Sequence, residues 1–191
     1  MNRNIIMSSE KPQIPNSLNE HWMPFTSNRE FKESPRLIVE AKGVYLKNHQ
    51  AQTQIDASSG LFCNPLGHGR EEIINAITNQ LKKLDYAQPF QQGFGGSFEL
   101  ATKISKHTPG HLNRIFYTSC GSTAVETAIK IAVAYHKARG EGHRFRFVGR
   151  ERGYHGMNLG ATSVGGMINN VKTFANVLMP GVLHMRHTHL P

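Results

Sequence analysis

The segment from residue 114 to residue 148 carries strand, helix and strand patterns in that order, which restricts the fold more than any other feature. Residues 114–118 are short and apolar, residues 122–139 have apolar side chains at helical spacing, and residues 145–148 again have a strand pattern. Such a βαβ unit joins parallel neighbours in one sheet. The sequence therefore predicts an α/β fold with a parallel sheet.

The long helix of this unit is predicted to have one buried face. Glu126 and Lys130 stand four positions apart with the acid first, an order that favours an ion pair on a helix. One βαβ unit with a third strand falls short of the roughly five or six strands of a doubly wound sheet, so the sheet is expected to be incomplete. The side chains expected to be buried are Val125, Ala128, Ile129, Ala132 and Tyr135.

The first third of the chain has a different organisation. Residues 1–35 are polar and contain four prolines, which is typical of an extended arm. Residues 36–56 hold three short strand patterns separated by turn residues, which predicts a small meander. Helical spacing then predicts a helix over residues 70–84.

Three further elements are expected nearer to and beyond the central unit. Ser97 is the predicted N-cap of a helix that ends near residue 107. Residues 156–166 are rich in glycine and contain no predicted element. A helix over residues 168–177 and a strand over residues 182–185 follow.

The composition excludes several classes of protein. The longest apolar run, residues 131–135, is far shorter than the roughly 18 residues that a membrane span needs. The N-terminus lacks the apolar core and cleavage site of a secretory signal. Cys63 and Cys120 lie 57 positions apart without CxxC spacing, which disfavours a disulfide framework or a zinc site and suits a reducing cytoplasm.

The positive charge of the chain is concentrated in its second half. Residues 1–100 carry ten Lys or Arg against ten Asp or Glu, whereas residues 101–191 carry twelve against three. Such a basic region attracts nucleic acid, a membrane surface or a phosphorylated small molecule. The alternative is that acidic neighbours are missing from this chain.

The turn at residues 118–123 is the first candidate site, because it joins the first strand to the long helix. Unpaired N–H groups at a helix N-terminus attract anions, Gly121 admits a ligand close to the backbone, and the hydroxyls of Ser119, Ser122 and Thr123 add donors. This pattern suits a phosphate, although Ser and Thr at this position are more often simple caps. The absence of GxxxxGK[ST] spacing disfavours a nucleoside triphosphate.

The second candidate is Gly153-Tyr154-His155-Gly156, which follows the next strand at the sheet edge where open α/β sheets bind ligands. Its glycines let the backbone bend and present a ring to a flat ligand, and a packed turn is the alternative.

Two other patterns carry less information. Residues 93–96 follow no strand and do not match GxGxxG, so a flexible loop is expected there. His184, His187 and His189 have no neighbouring acid or Cys, and Arg186 would repel a cation, so no metal site is expected.

Five motifs occur in a fixed order along the chain: Trp22-Met23-Pro24-Phe25-Thr26, Asp56-Ala57-Ser58-Ser59-Gly60-Leu61-Phe62-Cys63, Gly67-His68-Gly69, Phe116-Tyr117-Thr118-Ser119-Cys120-Gly121-Ser122 and Arg150-Glu151-Arg152-Gly153-Tyr154-His155-Gly156. Together they resemble the N-terminal half of class III pyridoxal-phosphate aminotransferases, and among these the β-alanine (ω-amino acid):pyruvate enzymes. The resemblance extends over nearly the whole chain from about His21 onward. Similar Ser163-Val164-Gly165-Gly166 and Arg186-His187-Thr188-His189 segments strengthen it.

The resemblance implies a type I transferase fold that uses pyridoxal phosphate, here incomplete. It assigns residues 1–35 to an N-terminal arm and residues 36–69 to a meander in the N-terminal part of the small domain. Residues 70–191 become the first portion of the large, cofactor-binding domain, with the first half of its mostly parallel sheet.

The resemblance also implies a site for pyridoxal 5′-phosphate. Gly121 and Ser122 would bind the cofactor phosphate, and Cys120 would contribute its backbone N–H. Tyr154 would stack on the pyridine ring, and His155 would support that turn.

A substrate pocket is implied as well. Leu61 and Phe62 would line it, and the smaller ring of Phe62, where the family often has Trp, could admit bulkier amines. Phe90 resembles a residue that relatives contribute from the partner subunit, which implies a homodimer. The implied pocket residues are Trp22, Phe25, Leu61, Phe62, Phe90 and Tyr154.

The chain departs from the family pattern in two respects. Thr123 stands where the family usually has Glu at the phosphate turn. The family's Schiff-base Lys, its pyridinium Asp and its substrate-carboxylate Arg lie further along the chain than residue 191, so no catalytic residue is assigned here. The lysines expected to be solvated charges on helices instead are Lys103, Lys106, Lys130, Lys137 and Lys172.

The resemblance therefore implies a cytoplasmic enzyme that transfers an amino group from a β-alanine-like ω-amino acid or amine to pyruvate. The chain alone is expected to be inactive, and neither nucleic acid nor membrane is an expected partner. Three alternatives remain open at this point. They are a class III enzyme for γ-aminobutyrate or a diamine, a non-catalytic fragment that binds a full-length partner, and a basic fragment that binds nucleic acid.

Overall fold

A computed structural model describes residues 14–189 of the chain. The chain divides into two compact units, Met1–Gly93 and Phe94–Pro191. Residues 1–13 of the predicted arm and residues 190–191 lie outside the described residues. The division after Gly93 differs from the predicted boundary after residue 69, and the assignment to small and large domains stays a prediction.

The first unit contains the predicted meander. Its three strands pair antiparallel in the order β1-β2-β3. Gly43, with φ +59°, makes the tight turn between the first two strands, a conformation that favours glycine. The elements of this unit are α1 (Asn28–Glu33), β1 (Ile38–Lys42), β2 (Tyr45–Asn48), β3 (Thr53–Ile55), α2 (Ser59–Phe62) and α3 (Glu71–Lys83).

The prediction of an extended arm is wrong for residues 28–33, which form α1. The Asn28 side chain accepts the Met23 N–H at 2.9 Å and donates to the Met23 carbonyl at 2.9 Å, closing the loop that precedes the helix. Phe31 on this helix is buried. One buried aromatic side chain and one closed loop therefore order a segment whose composition is polar.

The helix predicted over residues 70–84 is confirmed as α3. Glu71 and Glu72 lie in its first turn and Lys82 and Lys83 in its last, which suits the helix dipole. Its apolar positions are all exposed, since no other element of the described chain covers them: Ile73, Ile74, Ile77, Leu81 and Leu84.

The second unit contains a parallel strand pair, but it does not join the predicted neighbours, residues 114–118 and residues 145–148. Its two strands pair in parallel, with Phe147 opposite Val182 and Arg150 opposite Met185. Two helices and a short 3₁₀ turn, Ala175–Val177, occupy the connection between the strands. The elements are α4 (Gly95–Ser105), α5 (Gly121–Ala138), β4 (Phe147–Arg150), α6 (Leu159–Val164), α7 (Ile168–Phe174) and β5 (Val182–Met185).

Two strand predictions in this unit need correction. Residues 114–118 are not a strand in the structure, because no other segment of residues 14–189 hydrogen-bonds to them as a ladder partner. β4 begins at Phe147, where pairing with β5 starts, and not at residue 145. Apolar patterning identifies a segment that suits a sheet, but only a partner makes it a strand.

The start of α4 also differs from the prediction. The helix begins at Gly95 with Phe94 in the N-cap position, and Ser97 lies inside the first turn. There the Ser97 hydroxyl donates to the Phe94 carbonyl at 2.7 Å instead of capping the helix.

The predicted buried stripe of α5 is only partly covered. Val125, Ile129 and Ala132 are half-buried, whereas Ala128 and Tyr135 are exposed. Among the described elements, α6 is the packing partner of α5. A helix of only six residues covers part of an 18-residue face, so the rest of the stripe meets solvent.

The expected ion pair between Glu126 and Lys130 does not form, because Glu126 has another partner. Its carboxylate oxygen Oε1 accepts the backbone N–H groups of Gly160 at 2.7 Å and Ala161 at 3.2 Å. These amides belong to the first turn of α6, whose N-cap residue Asn158 makes no side-chain cap bond. Glu126 thus caps a neighbouring helix.

Helix α6 lies in the glycine-rich stretch where no element was predicted. Four of its six residues are buried, namely Gly160, Ala161, Thr162 and Ser163. The Ser163 hydroxyl donates to the Leu159 carbonyl at 2.6 Å and accepts the Met179 N–H at 2.8 Å. Packing and a cap from another helix stabilise a sequence with poor intrinsic helix propensity.

Within residues 14–189, no helix combines the length and the apolar character that a bilayer crossing requires.

Candidate functional site

The turn before α5 has the geometry of an anion-binding helix N-terminus. Cys120 is extended, with φ −163° and ψ 170°, and makes no side-chain cap bond to the helix. The space in front of Gly121 is open, since a Cβ added there would meet no atom within 4 Å. First-turn N–H groups and the helix dipole favour negative charge at such a position.

The two predicted turns of the second unit are brought into contact. A Cβ on Gly156 would lie 2.7 Å from the Ser122 Cα, and Gly156 has a φ of +119°. The neighbouring Met157 N–H donates to the Ser122 hydroxyl oxygen at 2.9 Å. Only glycine allows the Tyr154–His155 turn to approach the helix N-terminus this closely. The structure therefore joins the candidate anion-binding turn to the turn that carries Tyr154 and His155.

The Ser122 hydroxyl is oriented by this contact. Since its oxygen accepts the Met157 N–H, its proton is free to point elsewhere. In the adjacent turn the Tyr154 ring is 61% exposed, which leaves its face available to a ligand. His155 is also exposed, and its ring lies beside Gly153.

Cys120 occupies an environment that stabilises a thiolate. Its Sγ lies 3.4 Å from the Thr123 hydroxyl. The Thr123 hydroxyl is the main cause, and the nearby Thr123 backbone the next, of a pKa of the Cys120 thiol that lies below its ordinary value. Thr123, the departure from the family's Glu, therefore interacts with the thiol rather than leaving an empty position.

Leu61 and Phe62 lie on an unusual turn of the first unit. The four residues of α2 all have positive φ, with values of +52° at Ser59, +58° at Gly60, +57° at Leu61 and +68° at Phe62. Left-handed backbone costs about 1–2 kcal/mol for each residue other than glycine, so this turn needs support from its surroundings. Its two large side chains are 75% and 83% exposed.

Asp56 supports this turn, and the sequence analysis assigned it no role. Its carboxylate accepts the Gly60 N–H at 2.8 Å, the Ser58 hydroxyl at 3.1 Å and the Ser58 N–H at 3.3 Å. The Gly60 amide is the main cause, and His68 the next, of an Asp56 pKa below its ordinary value of 3.8. Asp two residues before Ser indicates an Asx turn from sequence, but the twelve-residue spacing to His68 carries no such signal.

The other predicted pocket residues lie on exposed loops of the first unit. Trp22 and Phe25 are 88% and 81% exposed; Trp22 precedes the loop that Asn28 closes and Phe25 lies within it. Phe90 is 70% exposed and follows α3, and the Gln88 side chain donates to its carbonyl at 2.9 Å.

Five lysines and His184, which lie outside these turns, are solvated or bonded to the backbone. The five lysines expected to be solvated are exposed. His184 Nε2 lies 2.7 Å from the Gly165 carbonyl oxygen, to which it donates. No group of three or more potential metal-ligating side chains occurs among residues 14–189.

Comparisons with known proteins show the family to which the chain belongs. The model of the class-III aminotransferase family matches residues 26–189. The chain is 46% identical over 174 residues to an omega-aminotransferase of Caulobacter vibrioides, covering 91% of this chain and 39% of the relative. It is 42% identical over 182 residues to the beta-alanine–pyruvate aminotransferase of Pseudomonas aeruginosa, covering 94% and 40%.

A solved structure agrees with these sequence matches. The omega transaminase of Pseudomonas jessenii in complex with PMP superposes with a TM-score of 0.84 at 29% identity, over 88% of this chain and 38% of that one. The chain thus spans about two fifths of the length of the relatives that it matches. The family match over most of the chain, the sequence identities and the shared fold together show that the chain belongs to the class III aminotransferases.

Proposed function

We propose that the chain forms part of an ω-amino acid:pyruvate aminotransferase, and that the complete enzyme transfers an amino group from a β-alanine-like donor to pyruvate. The observation that carries this proposal is the contact between Gly156 and Ser122, which assembles an anion-binding turn and an exposed aromatic ring into one site. The 42% identity to a beta-alanine–pyruvate aminotransferase supports the choice of donor and acceptor.

The cofactor of class III aminotransferases is pyridoxal phosphate, and the residues of this turn fit it. The open space at Gly121 leaves room for a phosphate against the backbone N–H groups of the N-cap residue Cys120 and of Gly121 and Ser122 in the first turn. The Ser122 hydroxyl, which accepts from Met157, keeps its proton to donate to a phosphate oxygen. When bound, the cofactor supplies the electron sink that makes a proton next to an amino group removable.

Tyr154 and His155 complete the cofactor site in this proposal. The exposed Tyr154 ring would offer an apolar face on which the flat pyridine ring could stack. His155 supports the turn from the side of Gly153, against which its ring lies.

The substrate pocket is lined by Leu61 and Phe62, with Trp22 and Phe25 closing it. The exposure of all four side chains leaves them accessible to a substrate. Because Phe62 is smaller than the Trp that the family often has, the enzyme is expected to accept bulkier amines as well. Phe90 serves the site of the partner subunit in a homodimer, and the enzyme acts in the cytoplasm without nucleic acid or membrane.

Measurements of cofactor binding test the proposed phosphate site at Ser122 directly. In the complete enzyme, replacing Ser122 with Ala removes both the donor to the phosphate and the acceptor for Met157, so the Kd for pyridoxal phosphate should rise about tenfold or more. The control is Ser105→Ala, which removes only a local bond to the Thr102 carbonyl in α4. Equal Kd values for Ser122→Ala and the wild type would contradict the proposed phosphate site.

Donor profiling tests the reaction. With pyruvate as acceptor, alanine should form faster from β-alanine than from γ-aminobutyrate or putrescine. A preference for either of the latter would identify another class III activity. Absence of turnover with all three donors, together with copurification of a longer relative, would identify a non-catalytic partner, whereas DNA binding that weakens steeply with salt would indicate a nucleic-acid-binding fragment.

A further inference from the structure

The left-handed turn that carries Leu61 and Phe62 is stabilised by hydrogen bonds to one buried carboxylate. The Asp56 side chain is 7% exposed, and its Oδ2 accepts the Gly60 N–H at the centre of the turn at 2.8 Å. Its Oδ1 accepts the Ser58 hydroxyl at 3.1 Å. That hydroxyl oxygen in turn accepts the Leu61 N–H at 3.5 Å, so the carboxylate also acts on the turn through Ser58.

His68 fixes the orientation of this carboxylate. The Asn64 side-chain amide lies 2.8 Å from His68 Nδ1 and donates to it. Nε2 therefore carries the ring proton and donates it to Asp56 Oδ2 at 3.0 Å. The His68 ring holds this tautomer while neutral, so the network does not need a charged imidazole.

The backbone ties the same network to the meander. His68 and Gly43 exchange two backbone hydrogen bonds of 2.8 and 2.9 Å, and the Asp56 N–H donates to the Val44 carbonyl at 2.8 Å. The carboxylate therefore transmits the position of β1 and β2 to the turn. Without the hydrogen bonds to this carboxylate, the left-handed backbone of Leu61 and Phe62 would lose its stabilisation, since this conformation is unfavourable for residues other than glycine.

We propose that Asp56, oriented by His68, is a positioning residue that sets the directions of Leu61 and Phe62 and thereby the size of amine donor that the enzyme accepts. This inference rests on the proposed function, in which these two side chains line the substrate pocket. Asp56 acts through the turn, and its oxygens are occupied by Gly60, Ser58 and His68.

The test is Asp56→Asn in the complete enzyme, with Asp85→Asn as the control. Asn has one oxygen and one NH₂ group, so it cannot accept from Gly60, Ser58 and His68 together. We expect the ratio of kcat/KM for β-alanine to kcat/KM for 1-phenylethylamine to change about tenfold, mainly through KM. The absorbance of the bound cofactor should stay as in the wild type, and Asp85→Asn, an exposed change outside the network, should leave the ratio unaltered.

Two further variants keep the test decisive. His68→Leu removes the proton donor to Asp56 while leaving the Gly60 bond in place, and it should shift the donor ratio in the same direction by about threefold. If Asp56→Asn does not yield folded holoenzyme, His68→Leu decides alone. Ser59→Gly relieves left-handed backbone strain at a position outside the pocket, so it should restore part of the ratio in the Asp56→Asn background.

Phe62→Ala separates failure of this inference from failure of the proposed function. If Phe62→Ala changes the donor ratio but both Asp56→Asn and His68→Leu retain the wild-type ratio, the positioning role is overturned and the pocket stands. If Phe62→Ala also leaves the ratio unchanged, the assignment of the pocket is wrong. A change in the ratio for all three variants supports both.

Discussion

Replacing Glu126 with Ala tests how the glycine-rich segment is held in the second unit. The Glu126 carboxylate accepts the N–H groups of Gly160 and Ala161 at 2.7 and 3.2 Å, and Ala161 is fully buried. Asn158 offers no cap of its own, so Glu126→Ala leaves both amides without this acceptor.

The magnitude follows from the bonds that are lost. Removing a helix cap costs about 0.5–2 kcal/mol, and leaving a buried N–H unsatisfied costs about 1–3 kcal/mol. Since the two amides share one oxygen, we expect the free energy needed to open α6 locally to fall by about 2 kcal/mol. This change corresponds to roughly 30-fold faster hydrogen exchange. Glu126→Gln keeps an uncharged oxygen acceptor and should lose about half as much.

Hydrogen exchange at Gly160 and Ala161 measures this local opening. The control is Glu99→Ala, the same chemical change on the exposed surface of α4. Unchanged exchange at these two amides in Glu126→Ala would refute the capping role. A loss of protection that is equal throughout the unit would also refute it, because it would indicate global destabilisation.

Three other predictions concern single positions. Gly156→Ala combines left-handed strain with a contact of 2.7 Å to Ser122, whereas the added Cβ of Gly140→Ala, at φ +77°, meets no atom within 4 Å. Gly156→Ala should therefore raise the Kd for pyridoxal phosphate at least about tenfold, and Gly140→Ala should leave it unchanged. Equal effects of the two changes would contradict the close approach of Gly156 to Ser122. Because its pKa is lowered, the Cys120 thiol should react with iodoacetamide at pH 7.5 faster than Cys63, which is also exposed, and Thr123→Val should slow this reaction; a rate insensitive to Thr123 would exclude the proposed cause. Since the folded-state pKa of Asp56 lies below 3.8, its charged form stabilises the fold above that pH, and this contribution disappears as the pH falls through the lowered pKa. The difference in urea midpoint between the wild type and Asp56→Asn should therefore stay constant from pH 7 to 5 and shrink below about pH 3.8. A difference that persists at pH 2 would argue against a role for the charge.

Several elements were predictable because local patterns dominate them. The spacing of Ile73, Ile74 and Ile77 identifies α3 to within one residue at each end. The run at residues 182–185 coincides with β5. The start of α5 is local as well, because Gly121 followed by a helical pattern needs no distant partner to be recognised.

The predictions that were wrong share one physical cause: each of these features depends on a partner that is distant in the chain. Residues 114–118 have the apolar character of a strand but no ladder partner among the described residues. Helix α6 has the composition of a loop and forms because Glu126, about 34 positions earlier, supplies its cap. In the same way, the sequence places Glu126 beside Lys130, but the backbone amides of another helix are stronger partners than an exposed amine.

The sequence by itself determined the family and the order of most helices and strands, because each depends on residues that are near neighbours in the chain. Only the tertiary structure decided that Gly156 packs against Ser122 and that Asp56 and His68 hold a left-handed turn beneath Leu61 and Phe62. The contact between His68 and Asp56 joins residues 12 positions apart, and that between Gly156 and Ser122 joins residues 34 positions apart. Spacing along a chain does not encode such contacts, since they arise when separate elements pack and their buried polar groups find partners.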